Sequence, residues 1–125
     1  MKNLIPNQER ALTRAEFRSL ADIPPELEWF ANLTNANTRR AYQNDVKEFV
    51  GFVGIEEPTE LRQIVRAHVL AWRKDLESRE LAASTVRRKL SAVSALFDYL
   101  CENNAVPDNP VHGVKRPTED SNEGK

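Results

Sequence analysis

The sequence predicts an all-α chain of four or five amphipathic helices enclosing a single core. Three observations carry that expectation. In each of the longer segments, apolar residues recur three and four positions apart, the spacing of one helix face. Proline and glycine punctuate the gaps between those segments. No stretch shows the strict apolar and polar alternation of a half-buried strand, and no internal repeat is present. At 125 residues the chain is long enough for one core and too short for two of ordinary size.

Taken in order, Met1 to Leu12 is a polar arm without periodicity. A short helix is expected from Arg14 to Leu20, with Thr13 as N-cap and Glu16 completing a capping box. Pro24 and Pro25 stop it, and Pro25 serves as the first residue of a second helix running to about Leu33. That helix offers Leu27, Trp29, Phe30 and Leu33 for burial. A long helix follows from about Thr38 to Val53, introduced by Asn37 and Thr38. Tyr42, Val46, Phe49, Val50 and Val53 form its apolar face, with Phe52 at the margin. Arg40, Gln43, Asn44 and Lys47 form its polar face.

Gly54 ends this helix, and Glu56, Glu57 and Pro58 belong to the loop beyond. Thr59 is placed to cap a short helical turn from Glu60 to Ile64. Another helix is expected from about Arg66 to Arg79, burying Val69, Trp72 and Leu76, with Leu70 nearby. His68 has no residue at a catalytic or ligand spacing and reads as an exposed or satisfied histidine.

The last helix, Ala83 to Asn104, organises the rest. Val86, Leu90, Val93, Phe97 and Leu100 make one continuous stripe, and Asn103 and Asn104 suit a left-handed C-terminal end. The opposite side carries Arg87, Arg88, Ser91 and Ala95, flanked by Ala92 and Ser94. Those small residues admit a close neighbour, either a nucleic-acid backbone or another helix. Pro107 to Pro110 then turn the chain into Val111 to Pro117, expected to be extended on the surface. Thr118 to Lys125 is polar throughout and reads as linker or disordered tail. The organisation is an arm with a short helix (1–23), a helical domain (24–114) and a tail (115–125).

The charge balance excludes little. With 18 Lys and Arg against 19 Asp and Glu, the formal net charge is -1, so the composition is not that of a bulk polyanion binder. The distribution is less even: Arg87, Arg88 and Lys89 cluster, while Glu56, Glu57 and Glu60 cluster elsewhere. The single cysteine, Cys101, rules out an intramolecular disulfide and fits a reducing compartment. No metal or cofactor site is read from the spacings. The absence of a long apolar run or signal peptide gives the expectation of a cytoplasmic chain that does not engage membrane.

Two helix starts break a local rule. Ser84 and Thr85 introduce Arg87 and Arg88, and Asn37 and Thr38 introduce Arg39 and Arg40, although the partial positive charge of a helix start favours acidic residues. An isolated first-turn arginine costs only about 0.3–1 kcal/mol, so one alone says little. Two such starts make two corners suited to anions, through amide N–H groups and guanidinium together. The reading is that both grip phosphates of one DNA duplex. Gln43 and Asn44 also have the side chains that read adenine in the major groove. The alternative is a protein-interaction domain whose basic starts bind acidic partner segments.

The segments NTRRAYQNDVKEFVGFV, HVLAWRKDLESREL and STVRRKLSAVSALFDYLCENNAVPDNPVHGVKRP, in that order, resemble the N-terminal core-binding domain of tyrosine recombinases, the phage integrase and Xer-type family. The resemblance covers about Pro25 to Pro117. It includes Thr38 and Tyr42 opening the second of the family's helices, Ser84 and Arg87 opening the fourth, and the Asn109-Pro110 exit. It implies a SAM-like domain of two crossing helix pairs, covering one face of a recombination site while a C-terminal catalytic domain covers the other.

It further implies double-stranded DNA and other recombinase protomers as partners, location at the nucleoid when DNA is bound, and no cofactor. The contacts implied are Thr38, Arg39, Arg40, Gln43, Asn44 and Lys47, with Ser84, Thr85, Arg87, Arg88 and Ser91. Tyr42 and Tyr99 match no nucleophile motif, so the expectation is no strand cleavage by this polypeptide alone. It would be a fragment or a truncated relative of a recombinase, and a monomer when isolated.

Overall fold

Thr13 opens the first helix by the mechanism its sequence predicts. Its hydroxyl accepts from the Glu16 amide at 3.0 Å, while the Glu16 carboxylate accepts from the Thr13 amide at 2.9 Å. The computed structural model describes residues 11–118, so most of the N-terminal arm and all but the first residue of the polar tail lie outside the described residues. The described residues form five α-helices: α1 (Arg14–Ala21), α2 (Pro25–Asn32), α3 (Ala36–Val53), α4 (Arg66–Ser78) and α5 (Ala83–Glu102). A 3-10 turn, Pro58–Gln63, joins α3 to α4, and the described residues contain no strand. The all-α expectation and each helix anticipated from periodicity are therefore met.

The core is assembled on α5, against which α2, α3 and α4 all pack. Its stripe of Val86, Leu90, Val93, Phe97 and Leu100 is buried as the spacing requires. Burial of one such leucine contributes about 2 kcal/mol. Val46 and Phe49 come in from α3, and Val69, Trp72 and Leu76 from α4. Phe49 meets Trp72 edge to face at 5.0 Å between centroids, and Trp29 of α2 stacks on Tyr42 of α3 at 5.9 Å.

Several expectations need correction. Leu27 is half exposed, and the buried polar position on α2 is Glu26, whose carboxylate accepts from Arg62 Nε at 2.7 Å. A buried carboxylate is tolerated there because the guanidinium neutralises it. The N-cap of α3 is Asn35, whose side chain accepts from the Thr38 amide at 3.0 Å, so Asn37 and Thr38 lie inside the first turn. The N-cap of α5 is Ala82, without a side-chain cap, so Ser84 and Thr85 are likewise inside. The 3-10 turn is organised by Glu60, which accepts from the amides of Glu56 and Glu57 at 2.7 Å each, rather than by Thr59.

Helix ends follow backbone chemistry. Gly54 closes α3 at φ 82°, where the absence of a Cβ removes the steric penalty. Gly51, by contrast, lies inside α3 and faces open space. Asn104, at φ 59°, closes α5 with the Asn104 and Ala105 amides donating to the carbonyls of Cys101 and Leu100, a Schellman arrangement. Asn103 keeps a negative φ, so only one of the two asparagines takes the left-handed role.

The exit segment is not merely superficial. Val111 and Val114 are buried, and Asn109 is pinned in place, donating to the Ser94 carbonyl at 3.0 Å and to Asp98 at 2.9 Å. Ser94, expected on the outer flank of α5, is covered by this docking, and Ala92, expected there too, is also buried. Four guanidinium groups tie the segment down. Arg66 donates to the His112 carbonyl, Arg73 to that of Lys115, Arg87 to those of Pro117 and Thr118, and Arg116 reaches back to the Ser91 hydroxyl.

Candidate nucleic-acid interface

The amino-terminal parts of α3 and α5 lie side by side. Asn37, Arg40 and Asn44 of α3 and Arg88 and Lys89 of α5 line one open cleft of about 400 Å³, with Asp45 and Glu48 as its acidic lining. This adjacency follows from the core: α3 buries Val46 and Phe49 against the α5 stripe, which brings the flanking residues of both helices together.

The cations of this cleft are largely partnered. Asp45, with its side chain 1% exposed, accepts a two-pronged contact from Arg88, Nε to Oδ2 and Nη2 to Oδ1, both at 3.0 Å. Lys89 adds a third contact at 3.1 Å and bridges to Glu48 at 2.8 Å, where Arg79 also donates. Hydrogen bonding to Asp45 holds the Arg88 guanidinium above its ordinary pKa. For Glu48 partial burial pushes the carboxyl upward, but the hydrogen bonds and charges of Lys89 and Arg79 together win and its pKa is lowered. Lys89 is thus a buried structural cation rather than an outward one. Arg88 is both: paired with Asp45, yet with half of its side chain exposed.

The remaining candidates separate by environment. Arg39 donates to the Leu33 carbonyl at 2.6 Å and so fastens the turn between α2 and α3. Arg40 and Lys47 are exposed and have no carboxylate partner among the described residues. Thr38, Gln43 and Asn44 are exposed, but they do not share one environment. Asn44 faces α5 with Arg40, whereas Gln43 and Lys47 border an apolar groove towards α2. Ser84 is exposed and Thr85 half-buried. Arg87 and Ser91 are both engaged with the exit segment.

Sequence reasoning did not find Asp45 and Glu48 as counterions, or the basic exit residues Lys115 and Arg116. One signal existed. Asp45 lies beside Val46, on the boundary of the buried α3 stripe, and a carboxylate there requires a cation from another helix. His68 is satisfied, its Nδ1 accepting from the Val65 amide at 2.9 Å. Burial, helped by Asp98, Asp108 and Glu102, pushes the Cys101 thiol up, away from the reactive thiolate. Among the described residues no group of three metal-ligating side chains is assembled, and no helix is long and apolar enough to cross a membrane.

Comparison with known proteins gives a consistent picture. The sequence model of the family described as "Phage integrase, N-terminal SAM-like domain" matches residues 30–104, more than half of the chain. A tyrosine recombinase XerC of Roseiflexus sp. is 34% identical over 85 residues, 68% of this chain and 27% of that protein. A tyrosine recombinase of Pseudothermotoga lettingae is 34% identical over 79 residues, 62% of this chain and 27% of that protein. A Listeria welshimeri XerC is 28% identical over 61% of this chain and 25% of its own length. The chain therefore spans about a quarter of the length of these curated relatives. No solved structure matches it at a significant level. With an all-helical core centred on α5 and a family match running from α2 to the end of that helix, the chain belongs to the phage integrase N-terminal SAM-like domain family.

Proposed function

We propose that the chain is the DNA-binding part of a site-specific tyrosine recombinase and that it lies against one face of a recombination site with α3 and α5 towards the major groove. In this reading the polypeptide binds and does not itself cut. Cleavage and rejoining belong to a catalytic domain of the whole recombinase, and the setting is the cytoplasm, at the nucleoid. Double-stranded DNA and further recombinase protomers are its partners.

The observation that carries the proposal is the shared cleft at the starts of α3 and α5. Arg40 and Asn44 stand exposed on one side of it, and on the other Asp45 aims an Arg88 guanidinium that is still half open to solvent. A guanidinium held in one direction loses less rotational freedom on meeting a phosphate. The Ser84 amide, in the uncapped first turn of α5, has no partner among the described residues, and helix-start amides suit phosphate oxygens. Because Asp45 and Glu48 offset most of the cleft's cationic charge, phosphate contacts are expected to be few and affinity modest.

Titrating a duplex that carries a recombination site against rising salt tests this. Binding should fall log-linearly with salt, and Arg40→Ala should reduce the slope by about one, for the phosphate no longer neutralised. Unchanged affinity and slope would remove this face from the interface.

A further inference from the structure

α1 buries no side chain, although it carries Phe17 and Leu20 on one face. Phe17 is 61% and Leu20 53% exposed, and Leu12 and Ile23 continue the exposed apolar surface at either end. An eight-residue helix is marginal by itself, even with a complete capping box, so its formation points to a surface it packs against. Within its own molecule α1 lies outside the groove beyond α2, which none of its residues line.

That groove is the second unpartnered feature. It has a volume of about 410 Å³ between α2, α3 and the loop after α3, with a floor of Leu27, Phe30, Val46, Val50, Ile55 and Leu61. Its rim carries both signs: Glu56 and Glu57 from the loop, and Lys47 from α3. The flanks of α1 carry the same pattern reversed. Arg14 and Arg18, four apart, border Phe17, while Glu16 borders Leu20 from the other side. Arg14, Arg18, Glu56 and Glu57 form no ion pair among the described residues.

We propose that α1 of one copy of this chain docks in the α2–α3 groove of a second copy, with Phe17 and Leu20 entering the apolar floor and Arg14 and Arg18 facing Glu56 and Glu57. The contact is head to tail, since one molecule offers the helix and the other the groove. Each copy keeps one unused helix or groove, so association continues past two unless the rotation closes a ring. One short helix covers less surface than a standard interface, which makes the contact weak and concentration-dependent. This departs from the monomer expected of the sequence and does not depend on DNA binding.

Sedimentation equilibrium of the full chain from micromolar to millimolar concentration tests it. The average mass should rise with concentration and pass that of a dimer. Phe17→Asp, at an exposed position that leaves the core intact, should weaken association about tenfold or more.

Charge reversal gives the decisive arm. Arg14→Glu with Arg18→Glu in one chain, and Glu56→Arg with Glu57→Arg in another, should each weaken self-association. An equimolar mixture of the two should restore it, because each altered surface then meets its complement. A strictly monomeric chain, indifference to these substitutions, or no recovery on mixing would overturn the proposal. So would a monomer in which Phe17→Asp shifts the NMR signals of Val50 and Leu61 at every dilution, which would place α1 in its own groove.

Discussion

Asp45 sits between two cations that both come from a helix more than forty residues away in sequence, and it has almost no contact with water. Removing either side of such a cluster leaves a buried charge without its partner. Asp45→Asn keeps the shape and removes the charge, leaving Lys89 buried with Glu48 alone. It should destabilise the fold by about 3 kcal/mol, read from the urea midpoint at constant m-value.

Glu48 gives a pH signature. Its folded pKa lies below the ordinary 4.5, so its contribution to stability is fully present above that value and is lost as pH falls through the folded pKa. Wild type should therefore lose stability below about pH 4.5 more steeply than Glu48→Gln, in urea melts taken across that range. Glu48's role was not legible in the sequence, and Asp45's only from its place beside Val46. From the helix start alone Arg88, and Lys89 clustered with it, read as outward cations because nothing within a turn of them is acidic. Their partners arrive only when α3 packs on α5.

At the scale of elements, periodicity carried most of the information and capping was read unevenly. The buried stripes of α4 and α5 were legible because three-and-four spacing over several turns has few alternatives. The cap of α1 was legible because Thr13 and Glu16 satisfy each other locally. The caps of α3 and α5 were each placed about two residues late. In α3 two asparagines and a threonine compete for the role within four positions, and Asn35 wins because Arg39 and Leu33 fix the approach of the chain. In α5 the helix begins at an alanine pair with no capping side chain, so the nearest hydroxyls drew the assignment. Asn35→Ala should accordingly cost about 1 kcal/mol, whereas Ser84→Ala should change stability by less than about 0.5 kcal/mol, compared by thermal melts of the two variants.

For the molecule as a whole, the all-α class and the central place of α5 could be read from one sequence, because a helix apolar over five turns has to be enclosed by others. The route of the chain after α5 could not. Val111 and Val114 are short apolar residues in a stretch rich in proline and asparagine, which reads as loop, and their burial depends on Asn109 docking beside Ser94. The arginines that hold this stretch come from α4 and α5, and no local pattern announces a guanidinium reaching a distant carbonyl.

Those arginine-to-carbonyl ties also decide where a mechanical load would enter. Tension applied beyond Thr118 does not peel the last residues away one at a time. It is shared between His112, Lys115, Pro117 and Thr118 and passes through three rigid forks into two helices at once. The most distal of these forks, Arg87, belongs to the opening turn of α5, one residue from the Arg88 that Asp45 holds. A pull on the carboxyl end of the domain is therefore felt first at the lip of the α3–α5 cleft, in a direction set by the helix and not by the slack of a loop.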